Sequence, residues 1–515
     1  PPNVLIGGPV RNSPGFPLQA CGNDGLWQSY QPPLRSKLRG IDPKEIKRMR
    51  RTKIVCTIGP ASESEKVIRG LIQSGMDVAR LNFSHGNYSF HQRIIRTIRR
   101  IAQKLNKPVA LLQDLPGPKI RVGSIEGNRV RLQTGRFLVL TTRKIEGNER
   151  TVSVGYKDFP SLVKKGDPIL LGDGEIELEV VKSNAEGVTC KIAVGGVLGS
   201  HKGIHFPRGS LDLPSLTRQD KQDLAFGIAQ GVDFVALSFV RDRNDILQAR
   251  HEMKKRGAKI PIIAKIEKHE ALDHIDSILE AVDGIMVARG DLGLEIPPEK
   301  IPAIQKMIIR KANHSGKPVI TATQMLRSMV QNPRATRAEV ADIANAILDG
   351  TDALMLSEES AVGSYPIEAV KTMARVAMET EKILKPRFQI EGIKKSVPEA
   401  VSHAAISLAR DLQVKAFLIP TTSGSTAQMI ARYRPSQPIV AISPNRQTVK
   451  TLCLVWGVSP LQIRAFKSTD ELIRLAQQKA LGLGLVKKGD LVVITSGVPL
   501  HKAGTTNLIT VKVVD

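Results

Sequence analysis

The sequence predicts an α/β protein: a closed (β/α)8 TIM barrel, an inserted small β-barrel domain and a C-terminal domain with an open α/β sheet. Two observations support this fold class. Short β-branched runs alternate with amphipathic stretches of helical length, which is the pattern of parallel βα units. That alternation is interrupted once, over residues 118–212, and a second series begins after about residue 384.

The first three βα units begin at residue 52. Gly75 ends the first helix, and Ile94, Ile98 and Ile101 share one face of the second. Asp114 directly follows the third strand. The predicted strands are 52–58, 78–83 and 108–113, and the predicted helices are 64–74 and 90–105.

The interrupting segment contains only short strands between Gly and Asp turns, so we expect an all-β domain inserted after the third barrel strand. Its predicted strands are 130–132, 137–141, 169–171, 176–181 and 188–194.

The alternation resumes at residue 217 and adds five strands, which with the first three give the eight strands of a closed parallel barrel. Helices such as 338–348 separate them. These barrel strands are 233–240, 260–266, 284–287, 318–323 and 353–356, and the C-terminal strands are 416–419, 439–442 and 491–494.

The elements divide the chain into five segments. The first segment is rich in Gly, Pro, Ser and Asn, so we expect a disordered basic extension. It has few acidic residues, which is also compatible with a transit peptide. The segments are the extension 1–48, the barrel 49–117, the inserted β domain 118–213, the rest of the barrel 214–383 and the C-terminal α/β domain 384–515.

Composition limits the classes of function. No run reaches the ~18 consecutive apolar residues of a membrane span, and the four cysteines form no CxxC pair, which favours a reducing compartment. The net charge of +26 suits a basic surface, phosphorylated small substrates or nucleic acid. Because only 4% of residues are aromatic, base-stacking platforms are scarce. We expect neither a nucleic-acid nor a membrane partner.

Functional groups of such barrels collect at the carboxyl ends of the strands. Glu267 and Asp291 follow the fifth and sixth strands, and two carboxylates are typical of a Mg²⁺ site. Lys265 lies two residues before Glu267, so both point to one side of the strand. A lysine there suits a developing enolate or a transferring phosphoryl group. The alternative is a structural ion pair at the barrel mouth.

The end of the second strand alternates polar and apolar residues, so that Arg80, Asn82 and Ser84 face one way. This pattern indicates a phosphate-binding cation beside two oxygen ligands, or simply a polar cap on the barrel.

The third strand ends at Asp114 and runs into a Pro-Gly-Pro sequence over 116–118, which cannot form regular structure. It therefore predicts a hinge that carries Lys119 and Arg121 over the barrel mouth, and a domain hinged in this way is a natural lid.

A run of hydroxyl residues lies between a strand and a helix of the C-terminal domain. Backbone amides and hydroxyls at a helix N-terminus suit phosphate, although simple N-capping is the alternative. Because the run lies outside the barrel, we expect a regulatory site. Its residues are Thr421, Thr422, Ser423, Gly424, Ser425 and Thr426.

Taken together, these sequence motifs resemble those of the pyruvate kinase family, and the resemblance covers about residues 50–515. The resemblance implies a TIM barrel with a mobile β lid and a C-terminal regulatory domain, usually in a homotetramer. The motifs that carry it are 57–62, 80–86, 265–267, 288–293, 321–326, 421–426 and 431–435.

The resemblance implies that phosphoenolpyruvate and ADP are converted to pyruvate and ATP. Arg80 would bind the transferring phosphate, and Lys265 would stabilise the phosphoryl transition state and the enolate. Thr323 would lie near the face of enolpyruvate that is protonated. The remaining roles would be Glu267 and Asp291 as ligands of Mg²⁺ or Mn²⁺, the Gly290 and Asp291 backbone at the substrate carboxylate, and Asn82, Ser84, His85, Arg121 and Lys202 along the nucleotide.

One departure from the family concerns K⁺. Lys119 stands where K⁺-requiring members carry Glu, and Leu115 and Val122 also fit the K⁺-independent pattern. An ammonium there can supply the positive charge that K⁺ would provide, so we predict activity without K⁺. The family's K⁺ ligands would otherwise be Asn82, Ser84, Asp114 and the Leu115 carbonyl.

Two other functions remain open. A Mg²⁺-dependent lyase or aldolase acting on the pyruvate enolate would use the barrel without needing ADP, and a catalytically silent basic protein would keep it as a scaffold. The resemblance favours a glycolytic kinase activated by a sugar phosphate or nucleotide. We expect a cytoplasmic location, or a plastid if the extension is a transit peptide.

Overall fold

The computed structural model describes residues 50–172, 174–206, 214–387, 396–464, 468–482, 484–497 and 506–515. The extension 1–48, expected to be disordered, lies outside these described residues. Within them, no helix combines the length and the apolar character needed to cross a membrane.

The chain begins with three parallel strands and two helices, close to the predicted positions. The Ser64 side chain accepts a hydrogen bond from the Val67 N–H and so caps the first helix, which Gly75 ends with a φ of +132° that favours glycine. The elements are β1 (Lys53–Thr57), α1 (Glu65–Ser74), β2 (Val78–Asn82), α2 (Tyr88–Lys104) and β3 (Ala110–Asp114).

An all-β segment follows β3, as predicted. The sequence predicts a small β-barrel here, and the described strands pair as a six-stranded sheet and a two-stranded sheet with a shared apolar core that includes Leu138, Leu178 and Leu198. Three strands, of two to four residues each, were not predicted. The strands are β4 (Arg129–Leu132), β5 (Phe137–Thr141), β6 (Thr151–Ser153), β7 (Pro168–Leu171), β8 (Ile176–Asn184), β9 (Gly187–Val194), β10 (Gly196–Gly199) and β11 (Ile204–His205).

Five more parallel strands then alternate with helices. The elements are α3 (Arg218–Gln230), β12 (Phe234–Leu237), α4 (Arg243–Lys255), β13 (Ile262–Ile266), α5 (Glu270–Asp273), α6 (Ile275–Ala281), β14 (Gly284–Ala288), α7 (Arg289–Glu295), α8 (Ile301–His314), β15 (Val319–Ala322), α9 (Arg337–Asp349), β16 (Ala353–Leu356), α10 (Glu358–Ala361) and α11 (Pro366–Thr380).

The eight strands close into a barrel in the order β1-β16-β15-β14-β13-β12-β3-β2. Every neighbouring pair is parallel, and closure occurs where Lys53 of β1 pairs with Ala353 of β16. Side chains such as Val55, Ile263 and Met286 fill the barrel interior. The predicted TIM barrel is therefore confirmed, with all carboxyl ends of its strands at one mouth.

The fourth strand of the barrel ends earlier than predicted. The sequence predicts a strand over 233–240, but β12 ends at Leu237 because Phe239 has a φ of +55°. A positive φ cannot continue a strand, so Ser238 and Phe239 form a turn at the barrel mouth.

The C-terminal part forms an open five-stranded sheet in the order β19-β18-β17-β20-β21, parallel except for the β20–β21 pair. Three of these strands were predicted, and β19 and β21 were not. The elements are α12 (Val397–Asp411), β17 (Ala416–Pro420), α13 (Ser425–Arg432), β18 (Ile439–Ser443), α14 (Arg446–Thr451), β19 (Val458–Gln462), α15 (Thr469–Gly482), β20 (Leu491–Gly497) and β21 (Thr506–Val513).

Candidate active site

Asp114 lies at the centre of a charged network at the barrel mouth. Its Oδ2 atom is 2.6 Å from Nε of Arg80, and its Oδ1 atom is 3.2 Å from Nζ of Lys265. Burial would raise the pKa of Asp114, but Lys265 and Arg80 outweigh it and hold that pKa below its usual range. Asp114 is therefore a buried carboxylate that fixes two cations from two different strands.

Lys265 has an acceptor for each of its three N–H groups. Besides Asp114, its Nζ atom lies 2.9 Å from Oε1 of Glu267 and 2.6 Å from Oγ of Ser238. Burial alone would lower the pKa of Lys265, but the Asp114 and Glu267 carboxylates outweigh it and the pKa lies above its usual range. The side chain is therefore a fixed, permanently charged ammonium.

Glu267 and Asp291 are the two carboxylates predicted to bind a divalent cation. Burial raises the pKa of Glu267 above its usual range; Lys265 opposes this rise and the Asp291 carboxylate adds to it. Burial would raise the pKa of Asp291 too, but Lys119 and Lys265 outweigh it and hold the pKa below its usual range. Two carboxylates close enough to affect each other's ionisation are a donor set that suits Mg²⁺ or Mn²⁺.

Gly290 and Thr323 lie side by side beyond β14 and β15. The Gly290 N–H donates to Oγ1 of Thr323 at 2.8 Å, and that hydroxyl donates to the Ala322 carbonyl at 2.6 Å. Thr323 and Gln324 both have a positive φ, and Arg289 holds this turn by donating to the Thr323 carbonyl at 2.7 Å. Two of the four predicted substrate-binding residues thus share one hydrogen bond.

The end of β2 and the loop after it contain three of the five residues predicted along the nucleotide. Oδ1 of Asn82 accepts from the Ser84 N–H at 3.2 Å, and the Asn82 carbonyl accepts from the His85 N–H at 3.2 Å. Burial lowers the pKa of His85, and the charges of Arg121, Arg80 and Lys119 lower it further. His85 therefore lies where cations from the barrel and from the inserted β segment both act on it.

Arg121 and Lys202 belong to the inserted β segment, on two paired stretches of chain. The Arg121 guanidinium donates to the His201 carbonyl at 3.1 Å, and the Val122 N–H donates to the Lys202 carbonyl at 2.9 Å. Lys202 is exposed.

Two of the four groups predicted as K⁺ ligands, the Asp114 carboxylate and the Leu115 carbonyl, already have partners in the protein. Both oxygens of Asp114 face cations, and the Leu115 carbonyl accepts from Oγ of Ser238 at 2.7 Å. The ammonium of Lys119 lies 3.4 Å from Oδ1 of Asp291. Its positive charge is therefore placed on the divalent-cation side of the mouth, beside Asp291.

Sequence reasoning missed the end of the fourth barrel strand. Ser238 contacts Lys265 and the Leu115 carbonyl, and the Phe239 N–H donates to Oε2 of Glu267 at 2.9 Å. A serine directly after the buried residues of β12 was the available signal, but the strand was predicted to run past it.

The hydroxyl-rich loop 421–426 connects β17 to α13. Gly424, with a φ of +89°, occupies the N-cap position and has no side chain with which to cap the helix. The adjacent Ser423 hydroxyl accepts from the Ser425 N–H at 3.4 Å, so this run does serve the start of α13, as the N-capping alternative expects. Thr421 accepts from the Gly424 N–H at 2.8 Å, while Ser423 and Ser425 lie 3.1 Å apart at the exposed end.

Among the described residues, one group of His, Asp, Glu or Cys side chains has metal-like spacing: His269, Glu270 and Glu295, with ligand atoms within 4.8 Å of one another. The sequence predicts no metal at His269. In the structure the Lys268 ammonium donates to Oε1 of Glu295 at 2.7 Å, so a cation of the protein already occupies this group.

Comparison with known proteins matches the two parts of the chain separately. Residues 49–370 match the family model "Pyruvate kinase, barrel domain", and residues 399–512 match "Pyruvate kinase, alpha/beta domain". The chain is 46% identical to a pyruvate kinase of Clostridium acetobutylicum over 473 residues, which is 91% of this chain and 100% of that protein. It is 47% identical to one of Staphylococcus aureus over 90% of this chain and 81% of that protein. It is 48% identical to "Pyruvate kinase 2" of Synechocystis over 90% of this chain and 79% of that protein.

Proposed function

The chain belongs to the pyruvate kinase family, a family of phosphotransferases, and we propose that its barrel mouth transfers the phosphoryl group of phosphoenolpyruvate to ADP. The observation that carries this proposal is the Lys265 ammonium, held between Asp114 and Glu267 while Arg80 pairs with the other oxygen of Asp114. Arg80 and Lys265 are both buried and both contact Asp114, so the two cations lie close together. Such a pair suits a substrate that carries both a phosphate and an enol oxygen.

Each cation has a separate role in this proposal. Arg80 binds the phosphoryl group, and Lys265 stabilises the charge on the transferring group and on the enolate left behind. Lys265 can keep this role throughout because its raised pKa holds the proton on Nζ. The overall reaction is phosphoenolpyruvate + ADP + H⁺ → pyruvate + ATP.

Gly290, Asp291 and Thr323 complete the substrate site. We assign the Gly290 and Asp291 backbone to the substrate carboxylate, and Thr323 to the face of enolpyruvate that receives a proton at carbon. The Thr323 hydroxyl is held by Gly290 and Ala322, which fixes its position beside that backbone.

Glu267 and Asp291 would hold Mg²⁺ or Mn²⁺, which supplies positive charge to the oxygens of the carboxylate and the transferring phosphoryl group. The Phe239 N–H orients Glu267 for this role, and Lys119 lies beside Asp291.

The nucleotide would lie between the β2 loop and the inserted β segment, along Asn82, Ser84, His85, Arg121 and Lys202. We propose that this segment, 118–213, is a lid between the barrel parts 49–117 and 214–383. The combined charge of Arg121, Arg80 and Lys119 at His85 supports a polyphosphate at this position.

We propose that turnover does not require K⁺. Asp114, the only charged member of the predicted K⁺ ligand set, is already neutralised by Arg80 and Lys265. Lys119 adds a further positive charge where K⁺-requiring relatives would carry a carboxylate.

We also propose a regulatory role for the C-terminal domain, 384–515, with a sugar phosphate or nucleotide bound at the loop 421–426. The exposed hydroxyls of Ser423 and Ser425 at the start of α13 support an anion there. On the family resemblance we propose a homotetramer that acts in glycolysis.

The three described cysteines are buried and unpaired, which supports a reducing compartment such as the cytoplasm.

The test is pyruvate formation from phosphoenolpyruvate and ADP with Mg²⁺, with and without K⁺, by the wild-type chain and by Lys265→Met. We expect ADP-dependent turnover without K⁺ and a loss of at least about a thousandfold in kcat in the variant, because charge stabilisation in the transition state is removed. Pyruvate released without ADP would indicate a lyase or aldolase instead. No pyruvate with any divalent cation, even with sugar phosphates present, would indicate a binding protein.

A further inference from the structure

The turn formed by Ser238 and Phe239 at the end of β12 contacts Lys265 in β13 and Glu267 directly after it. Ser238 is buried, and its hydroxyl donates to the Leu115 carbonyl at 2.7 Å. A hydroxyl has only one hydrogen to donate. The 2.6 Å contact with Lys265 must therefore run from the ammonium to a lone pair of Ser238.

The second residue of the turn holds the neighbouring carboxylate. The Phe239 N–H donates to Oε2 of Glu267 at 2.9 Å, and Phe239 itself has a φ of +55°. A non-glycine residue in this region costs about 1–3 kcal/mol and persists only where its surroundings enforce it. The hinge of the inserted β segment packs closely against this turn: a Cβ at Gly117 would lie 3.0 Å from Cβ of Ser238 and 3.1 Å from the Phe239 ring.

We propose that this turn is a positioning element for the reaction, in which the Ser238 hydroxyl sets the direction of the Lys265 ammonium and the Phe239 N–H sets that of Glu267. The inference rests on the proposed function, since it assigns the turn a role in that reaction. Ser238 is the neutral acceptor among the three that surround Lys265. It fixes the nitrogen without cancelling any of its charge, whereas Asp114 and Glu267 both fix and neutralise it.

The turn also joins Lys265 to the hinge of the inserted β segment. Ser238 bonds to Lys265 on one side and to the carbonyl of Leu115, at the start of the hinge, on the other. One hydroxyl thus links the position of the ammonium, on β13, to that of the backbone directly after β3.

The test compares Ser238→Ala and Ser238→Thr with the wild-type chain in steady-state turnover of phosphoenolpyruvate and ADP. Lys265 acts on charge that develops in the transition state, so its misplacement lowers kcat more than it changes KM. We expect Ser238→Ala to lower kcat by about 10- to 100-fold, the usual cost of a misplaced catalytic group, with KM for phosphoenolpyruvate changed less than about threefold. Ser238→Thr, which keeps the hydroxyl, should retain most of the activity.

Two further variants make the result decisive. Ser402→Ala removes another buried hydroxyl, which donates to the Pro398 carbonyl within helix α12 of the C-terminal domain, and should leave kcat unchanged. If Ser238→Ala does not fold, Ser238→Cys, whose thiol is a poor hydrogen-bonding group, should show the same loss.

Two results would overturn the inference while the wild-type enzyme is active: an alanine or cysteine variant that keeps its kcat, or a folded threonine variant as slow as the alanine variant. A wild-type chain that forms no pyruvate would instead refute the proposed function, and the inference with it. The two failures are therefore distinguishable.

Discussion

At the scale of single residues, the barrel mouth balances its charges before any ligand binds. Arg80, Lys265 and Asp114 form one part of the network, while Lys119 pairs with Asp291. Glu267 completes it by contacting Lys265. Buried ions are costly unless they are paired, so each cation that faces the substrate needs a carboxylate behind it. We propose that Lys119 is the member of this set that determines whether K⁺ is required.

Reversing the charge at Lys119 should create a K⁺ requirement. We expect Lys119→Glu to reduce turnover in K⁺-free buffer by at least about tenfold, since a carboxylate would then face Asp291 without a counter-ion. Added K⁺ should restore part of the loss, as measured by kcat over a range of KCl at constant ionic strength. Lys119→Met is the control, because it removes the ammonium without adding a ligand and should not respond to K⁺. Equal activity of Lys119→Glu with and without K⁺ would contradict the proposed role of Lys119.

At the scale of elements, the start of helix α3 is coupled to the hinge. Asp220 completes a capping box by accepting from the Thr217 N–H, and its other oxygen accepts from the Gly117 N–H at 3.0 Å. A helix cap and a hinge amide therefore depend on one buried carboxylate. The hinge sequence was recognised because Pro and Gly forbid regular structure, whereas its anchor 103 residues further along the chain was not recognisable from the sequence.

Removing this anchor should affect both stability and substrate binding. We expect Asp220→Ala to lower the free energy of unfolding by about 1–3 kcal/mol, since it leaves buried N–H groups without an acceptor. We also expect the KM for ADP to rise by about three- to tenfold, because the hinge carries the segment that contains Arg121. Denaturant unfolding and steady-state kinetics measure the two effects.

The matched control is Asn445→Ala, which removes the side-chain cap of α14, where Asn445 accepts from the Gln447 N–H at 2.9 Å. It should cost about 1 kcal/mol of stability and leave the KM for ADP unchanged. The proposed coupling would be wrong if both variants left that KM unchanged.

At the scale of the whole molecule, a buried arginine joins the C-terminal part to the barrel. Arg434 follows α13 and donates to Oδ1 of Asp352 at 2.9 Å, to Oδ1 of Asn313 at 2.9 Å and to the Gly350 carbonyl at 2.6 Å. Its guanidinium also lies 4.9 Å from the centre of the Trp456 ring. The fully buried ion pair with Asp352 ties the segment after the loop 421–426 to the amino-terminal side of β16.

Breaking this contact should uncouple the two parts. We expect Arg434→Met to lower the free energy of unfolding by about 3–5 kcal/mol, the cost of leaving a buried charge unpaired. Scanning calorimetry should then show a separate transition for the C-terminal sheet. Arg432→Met is the control, since Arg432 pairs with Glu399 inside the C-terminal part and should leave unfolding in a single transition. A single, unshifted transition in Arg434→Met would show that other contacts join the two parts.

The sequence by itself determined the order of the elements and the class of the fold. Period-2 and period-3.6 apolar patterns are local, so the eight βα units and the break at residue 118 could be recognised directly. The sequence motifs also indicated the pyruvate kinase family, to which the comparisons assign the chain. Because parallel strands present their carboxyl ends at one mouth, the sequence could further predict that Arg80, Asp114 and Lys265 lie together.

Only the tertiary structure decided which groups touch. Ser238 and Phe239 contact Lys265 and Glu267 from a backbone turn with a positive φ. Lys119 contacts Asp291, which lies 172 residues further along the chain. Short strands such as β6 and β11 likewise depend on partners rather than on their own residues. Such contacts arise from distances between elements that are remote in the chain, and no local pattern of apolar and polar residues encodes those distances.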